Sequence, residues 1–261
     1  MRECPKDGRL WPTTLCIAYC VRLVADTGQR LQNRVQFRSM CLSAEVNFIA
    51  SAVVGTVGVA TLSHTRHPRE VLFAAMPLFF AFHQFTEGFV WLGLEGRINQ
   101  LAFDNAAFLF ILYAQGILPF LMPLAVLLME NVPWRRKVIG ALTATAALFS
   151  LYMIYGVTSF PTECFVEGRS IVYKNEITEN IWTLLLYVLV TCGALILSGH
   201  LVIRIFGVLN LIGLTVVLIV KAYAFSSVWC FYAACVSVFL YWQFRSRRIG
   251  VWTGPPDRAA T

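Results

Sequence analysis

The sequence contains little charge. Only 13% of its 261 residues are Asp, Glu, Lys or Arg, while 58% are hydrophobic, and the mean hydropathy is +0.67. A soluble domain carries about a quarter charged residues. The composition therefore argues against a soluble globular fold. Because the apolar residues fall in discrete blocks, it predicts a multi-pass helical protein whose main partner is the lipid bilayer.

The sequence also lacks several motifs of enzymes and binding proteins. It has no Gly-x-Ser-x-Gly, no His-Glu-x-x-His, no P-loop and no dinucleotide-binding glycine pattern. None of its eight cysteines forms a Cys-x-x-Cys pair, which excludes zinc-ribbon and thioredoxin-type motifs. The net charge of +7 is scattered between apolar blocks and forms no basic stripe, so a nucleic-acid partner is not expected.

Apolar blocks of about 20 residues each predict transmembrane helices. The fold class expected is an all-α membrane protein, a seven-transmembrane-helix bundle in residues 40–244. The predicted spans are about 44–63, 70–92, 102–129, 136–157, 180–200, 202–223 and 226–244.

Basic residues between the spans predict the orientation, because cytoplasmic loops are enriched in Lys and Arg. The N-terminus of the bundle is expected outside and its C-terminus in the cytoplasm. The predicted cytoplasmic residues are Arg66, Arg69, Arg135, Arg136, Lys137, Arg204, Arg245, Arg247, Arg248 and Arg258; the predicted outer ones are Arg97, Arg169, Lys174 and Lys221. Tryptophans near the predicted span ends, where aromatic belts occur, are Trp91, Trp134, Trp182, Trp229 and Trp242.

The two ends of the chain lie outside the predicted bundle. Residues 1–39 carry more basic than acidic residues and would lie outside, against the charge rule. Two explanations stay open: an eighth or signal-like segment at residues 10–25, or a natural start at Met40. Residues 245–261 form a basic cytoplasmic tail, expected to be disordered and able to touch anionic lipid.

The third predicted span contains Gly116, Pro119 and Pro123. Proline removes an intrahelical hydrogen bond and kinks a helix. The pattern is compatible with a tilted, kinked span, and also with a broken helix that lines a cavity, as in transporters.

A few polar residues interrupt the apolar blocks, where such residues are costly and often functional. The predicted topology places them in one layer in the outer third of the bundle, as a candidate ligand-binding site. They are Glu45, Asn47, His83, Gln84, Glu87, Asp104 and Lys221.

His83 and Glu87 are four residues apart and share a helix face. Gly88 is expected to let a neighbouring helix approach, with Glu45 across that contact. A divalent metal ion held by Glu45, His83 and Glu87 is then one hypothesis, and a shared proton is another. A third alternative is structural: Glu45 and Asp104 stabilise helix N-termini, with Ser43 as an N-cap.

These observations leave three functional classes open. The favoured one is a sensor or small-ligand-binding membrane protein with a polar pocket in the outer half, which would need a separate signalling partner. The second is a transporter or proton-coupled permease that uses Glu87. The third, a metal-dependent membrane enzyme, is less favoured. Cys41 and Cys164 are both expected outside, where they could pair.

Two stretches resemble an uncharacterised family of bacterial multi-pass membrane proteins. "MCLSAEVNF" begins at Met40 and "FHQFTEGFVWLGL" at Phe82. They match a Met-Cys-x-Ser-Ala opening and a Gln-x-x-Glu-Gly-x-x-Trp segment in the second span. The resemblance supports a start at Met40 and places Cys41, Ser43, Gln84, Glu87 and Trp91 in the family pattern. The resemblance implies a bacterial inner membrane as the location, and it implies no reaction.

Overall fold

The computed structural model describes residues 43–167, 170–175, 181–220 and 225–246. The chain divides into two units, Met1–Cys41 and Leu42–Thr261, and the first lies outside the described residues. The predictions for residues 1–39, Cys41, Lys221 and the tail beyond Ser246 also fall outside them.

The described residues are mostly helical, with one small sheet. A 3-10 turn, Pro68–Glu70, precedes α2, and a π-helical segment, Leu112–Ile117, separates α4 from α5. In chain order the elements are α1 (Ala44–Leu62), α2 (Val71–Ala74), α3 (Met76–Leu94), α4 (Gln100–Ile111), α5 (Leu118–Met129), α6 (Pro133–Ser159), β1 (Glu163–Glu167), β2 (Ser170–Lys174), α7 (Ile181–Leu197), α8 (Leu201–Val220) and α9 (Phe225–Arg245).

Each predicted span coincides with helical structure, and three helical runs are long and apolar enough to cross a membrane. These runs are Ala44–Leu62, Gln100–Met129 and Pro133–Ser159, and two shorter apolar helices cover Ile181–Leu197 and Leu201–Thr215. The membrane character of the chain rests on these helices. The crossing of all seven and their orientation stay predictions.

Local sequence signals account for several helix ends. The predicted N-cap is confirmed, since the Ser43 side chain accepts a hydrogen bond from the Val46 N–H at 3.5 Å. Asn99 caps α4 in the same way, by accepting from the Ala102 N–H at 2.8 Å. Gly96 follows α3 with φ of +70°, a left-handed conformation that glycine adopts without steric cost.

Helices α1 and α3 pack closely through small residues. The Ser51 hydroxyl donates to the Ala81 carbonyl at 2.7 Å. A Cβ on Gly88 would lie 2.7 Å from Cε1 of Phe48, so any larger residue there would force the Phe48 ring to move. The predicted close approach at Gly88 is therefore confirmed, but its partner on α1 is Phe48 and not Glu45.

The connection between the predicted spans 136–157 and 180–200 contains an antiparallel hairpin. Strands β1 and β2 pair Cys164 with Tyr173 and Val166 with Ile171. Their β-branched and aromatic residues are those that strands favour. The hairpin packs by Ile171 and Tyr173 against residues of α3, α4 and α6. It adds a β element to the expected all-α class.

The predicted tryptophan belts are only partly in place. Trp134, Trp182 and Trp242 are 57–73% exposed, as expected for rings at a membrane surface. Trp91 is instead buried at 8% exposure and packs in the cluster beside the hairpin. Its predicted place in a belt is wrong, because the ring points into the bundle.

Two ends of the bundle are distinguished below. The hairpin end contains the start of α1, the α3–α4 turn and the hairpin β1–β2. The opposite end contains the α5–α6 turn at residues 130–132 and the α7–α8 turn at residues 198–200.

Candidate ligand-binding cavity

A cavity of about 310 Å³ lies between the helices near the hairpin. This volume is at the small end of the range for small-molecule sites, about 300–1,000 Å³. Its described lining combines aromatic and aliphatic side chains with a few polar ones: Phe80, His83, Glu87, Phe110, Tyr113, Ala114, Gln115, Leu118, Met153, Ile171, Tyr173, Thr183, Leu184, Tyr187 and Leu214.

The π-helical segment shapes one wall of the cavity. In its wider register the Leu118 N–H donates to the Tyr113 carbonyl, five residues back. The carbonyl of Ala114 would next require a donor at residue 119, and Pro119 has none. The hydroxyl of Tyr187 on α7 donates to that carbonyl at 3.2 Å. Pro119 thus leaves the Ala114 carbonyl without a donor from its own helix, and Tyr187 of the neighbouring helix α7 provides that donor.

This segment explains the proline pattern of the third predicted span. The helical run does not stop at Pro119 and Pro123, but it is widened by the π turn at Leu112–Ile117. π-Bulges occur often at functional sites. The turn places Tyr113, Ala114 and Gln115 in the cavity wall, so the helix is widened and not broken where it lines the cavity.

Four polar atoms around the cavity are buried without a hydrogen-bond partner in the described part of the chain. They are His83 Nδ1, Tyr113 Oη, Gln115 Oε1 and Tyr173 Oη. Buried polar atoms are usually hydrogen-bonded, and each exception needs an explanation. Since all four belong to residues that line the same cavity, a bound molecule would offer them a common partner.

Aromatic rings fix the position of His83. Its ring centroid lies 4.0 Å from that of Phe110 and 6.0 Å from that of Tyr113. Phe110 in turn stacks on Tyr173 of β2, with centroids 4.7 Å apart and planes 18° apart. The hairpin therefore covers the ring stack at one end of the cavity.

Glu87 and Gln84 are buried on α3 at 5% and 1% exposure. Glu87 lines the cavity and Gln84 is not among its lining residues. Burial is the main reason that the pKa of the Tyr173 phenol lies well above its ordinary value, and the negative charges of Glu87 and then Cys164 raise it further. Tyr173 is accordingly protonated at neutral pH and can donate a hydrogen bond into the site.

Glu45 and Asp104 lie outside the cavity. Glu45 is exposed and receives a hydrogen bond from Arg97 at 2.7 Å, which keeps the Arg97 pKa raised. The exposed Asp104 accepts from Gln100 Nε2 at 2.8 Å. Within the described residues no group of three or more His, Cys, Asp or Glu side chains is placed to hold a metal ion, so Glu45, His83 and Glu87 do not form such a set.

Two other predicted residues have separate roles or positions. Asn47 is buried at 1% exposure, and its amide donates to the Ser43 carbonyl at 3.3 Å, inside α1. Cys164 lies on β1, where burial raises its thiol pKa to about 12. Because Cys41 falls outside the described residues, their pairing stays a prediction.

Sequence reasoning missed a buried carboxylate at the opposite end. Glu130 is 1% exposed and accepts from the Val132 N–H at 2.9 Å and from the Gly199 N–H at 2.6 Å. Arg135 donates to the Ser198 carbonyl at 2.7 Å, across the same two turns. The possible signal was an acidic residue in a tight apolar turn, but its partner lies 69 residues away in sequence.

Sequence reasoning also missed four members of the cavity wall. Tyr113, Gln115, Tyr173 and Tyr187 stand in apolar or loop sequence. The only local signal was Gln115 beside Gly116 and Pro119, which suggests an irregular helix but not its polar face.

A sequence model of a family of unknown function, DUF6629, matches residues 40–254. The chain belongs to this family. The match confirms the resemblance to an uncharacterised family, while the motifs and the bacterial origin stay predictions. No curated protein and no solved structure matches the chain.

Proposed function

We propose that this protein is a multi-pass membrane protein that binds a small molecule in the cavity beside the hairpin. The observation that carries the proposal is that four residues lining one space of about 310 Å³ each keep a buried polar atom without a hydrogen-bond partner in the described part of the chain. An apolar space alone would be a packing defect. A mainly apolar pocket with a few convergent polar groups is the usual form of a small-molecule site.

The position of the cavity supports an extracytoplasmic ligand. The charge rule predicts the hairpin end outside, so a molecule would enter from that side or laterally from the outer leaflet. The family members would then act as sensors or binding proteins that signal through a separate partner. In this proposal Glu87 and His83 are the polar contacts on α3, and Gln115 and Tyr173 are those on the π segment and the hairpin.

The proposal is tested by filling the cavity. Leu184 lines the cavity, while its neighbour Leu185 on α7 is 52% exposed. Leu184→Trp should abolish binding, and Leu185→Trp should not. The full chain in detergent is screened by thermal shift against small aromatic acids, amines and alcohols.

The expected result is at least one compound that raises the melting temperature of the wild type and Leu185→Trp but leaves Leu184→Trp unchanged. A compound set that stabilises none of the three proteins contradicts a ligand site. Equal stabilisation of all three would place the compounds outside this cavity.

A transporter is the second candidate, and the π segment is the observation that favours it. An interrupted helix beside a binding site is common in transporters, because it exposes backbone groups to the substrate. In proteoliposomes a transporter would accumulate the compound found by thermal shift, and Glu87→Gln would reduce its uptake. Binding without uptake would favour the sensor.

A further inference from the structure

The hairpin forms one wall of the cavity through strand β2. Ile171 and Tyr173 both line the cavity, and Tyr173 stacks on Phe110 with ring centroids 4.7 Å apart. Strand β1 contributes no described residue to the lining, and Val166, which pairs with Ile171, is 38% exposed. The hairpin is therefore a single layer of chain between the cavity and the protein surface.

The hairpin is attached to the helices by side chains. Among the described residues no backbone hydrogen bond joins β1 or β2 to a helix. A two-stranded hairpin is only marginally stable by itself, so the packing of Ile171 and Tyr173 on the bundle holds it in place. A segment with few bonds to the remainder of a protein can separate from it at a low cost in free energy.

Asn175 provides a second attachment, between the end of β2 and the end of α6. Its side chain is buried at 3% exposure. The amide donates to the Phe160 carbonyl, just after α6, at 3.2 Å, and to the Thr162 hydroxyl at 3.1 Å. Asn175 is not among the residues that line the cavity, so it holds the hairpin down without touching the space beneath.

We propose that the hairpin β1–β2 is a lid that controls access to the cavity from the predicted outer side. The structure shows it closed, held by the Phe110–Tyr173 stack and by the Asn175 hydrogen bonds. Opening breaks both attachments and keeps the pairing of β1 with β2. The inference rests on the proposed function, because the lid serves the same cavity, and it selects the hairpin over the outer leaflet as the route of entry.

The lid is tested without a ligand, by the rate at which a thiol inside the cavity is alkylated from water. Met153 lines the cavity and is 3% exposed, so Met153→Cys places a thiol there. The full chain in lipid nanodiscs is treated with iodoacetamide at mildly alkaline pH, and peptide mass spectrometry follows alkylation at residue 153. Native Cys192, which is 2% exposed and does not line the cavity, reports opening of the whole bundle in the same sample.

Removal of the Asn175 attachment should speed alkylation in the cavity. In the Met153→Cys background, Asn175→Ala should raise the rate at residue 153 at least about fivefold, which is the factor that corresponds to one hydrogen bond. The rate at Cys192 should not change. Glu163→Ala, an exposed substitution on the same hairpin, is the matched control and should leave both rates unchanged.

Thr162→Val provides a second test if Asn175→Ala does not fold. It keeps the shape of the side chain and removes one acceptor of the Asn175 amide. Because the bond to Phe160 remains, a smaller rise of about threefold at residue 153 is expected.

The outcomes separate the lid from the proposed function. An unchanged rate at residue 153 in both variants overturns the lid and means that the cavity is reached by another route. Equal rises at residue 153 and at Cys192 also overturn it, because the whole bundle then opens. A rise at residue 153 alone supports the lid. None of these results depends on whether a compound distinguishes Leu184→Trp from Leu185→Trp, which decides the proposed function.

Discussion

Two sets of buried polar groups, one around Glu130 at the opposite end and one around the cavity at the hairpin end, are hydrogen-bonded to different degrees. At the opposite end, both carboxylate oxygens of Glu130 accept backbone N–H groups, and Arg135 donates to the carbonyls of the next turn. At the hairpin end, His83, Tyr113, Gln115 and Tyr173 each keep a buried polar atom without a partner in the described residues. The comparison teaches that burial of a polar side chain does not by itself mark a site. A site is marked instead by several buried polar side chains that line one space and whose hydrogen bonding is incomplete.

The two sets of buried polar groups should also differ in how much stability is lost when one of them is removed. A satisfied buried carboxylate becomes expensive to remove, because its donors lose their acceptors. An unpartnered hydroxyl already carries its desolvation cost, so its removal should not destabilise the fold. The predictions below test that difference, from the largest expected effect to the smallest.

The largest effect is expected at Glu130. Glu130→Ala leaves the N–H groups of Val132 and Gly199 without their acceptor, and each hydrogen bond to a charged group contributes about 1.5–3 kcal/mol, so a loss of roughly 3 kcal/mol is expected for two part-buried bonds. Chemical denaturation in detergent measures the free energy of unfolding. Glu163→Ala, an exposed acid on β1, is the control and should change it by less than about 0.5 kcal/mol.

Glu130→Gln refines this result, because the amide keeps one acceptor oxygen and loses the other. It should lie between the wild type and Glu130→Ala. A free energy of unfolding for Glu130→Ala within about 0.5 kcal/mol of the wild type would remove the contrast between the two ends.

The next effect concerns the widened helix. Tyr187→Phe removes the donor to the Ala114 carbonyl and should cost about 1 kcal/mol. Pro119→Ala supplies an N–H at the position where the π register lacks one, so Tyr187→Phe should cost less in that background. A double-mutant cycle of unfolding free energies measures the coupling.

Tyr155→Phe serves as the control for the Tyr187 substitution, since Tyr155 is 59% exposed and should be neutral. Equal costs of Tyr187→Phe with and without Pro119 would show that Tyr187 does not compensate for the proline. The π segment would then need another explanation.

A smaller effect of opposite sign is expected at Tyr113. Its hydroxyl is buried without a described partner, so Tyr113→Phe should leave the free energy of unfolding unchanged or raise it by up to about 1 kcal/mol. The same denaturation experiment measures it. A loss of more than about 1 kcal/mol would mean that this hydroxyl is satisfied in the folded protein, which would weaken the case for a site.

The sequence predicts the helices well, because each apolar block is long and ends at a polar turn. It also identifies His83 and Glu87, since polar residues inside an apolar block are unusual and their spacing places them on one face. These two residues reach the cavity wall, as the helical spacing requires.

The other predicted site residues show why the remainder of the site was not predictable. Glu45 and Asp104 lie at helix starts, where a carboxylate is as stable on the surface as in a site, and sequence position alone does not separate these cases. Tyr113, Tyr173 and Tyr187 come from three distant segments, and aromatic residues in apolar sequence give no sign of a common space. The residue types of the hairpin favour β-strands, but it lies in a charged connection between two predicted spans, and the strands were therefore not predicted.

The last effect is absent at neutral pH, and it tests whether the hairpin is closely packed over the bundle. Burial raises the pKa of the Cys164 thiol to about 12, whereas a thiol in the unfolded chain ionises near about 8.5. Below that pH both states bind the proton, and stability does not depend on this group. As the pH rises towards 12, the unfolded chain loses the proton first, so the free energy of unfolding should fall with pH.

Cys164→Ala removes this pH-dependent contribution to the free energy of unfolding. The difference in unfolding free energy between wild type and variant should therefore be constant up to about pH 8 and then shift against the wild type. A difference that stays constant to pH 10.5 would show that solvent reaches β1, and that the hairpin does not cover the cavity as tightly as the Phe110–Tyr173 stack indicates.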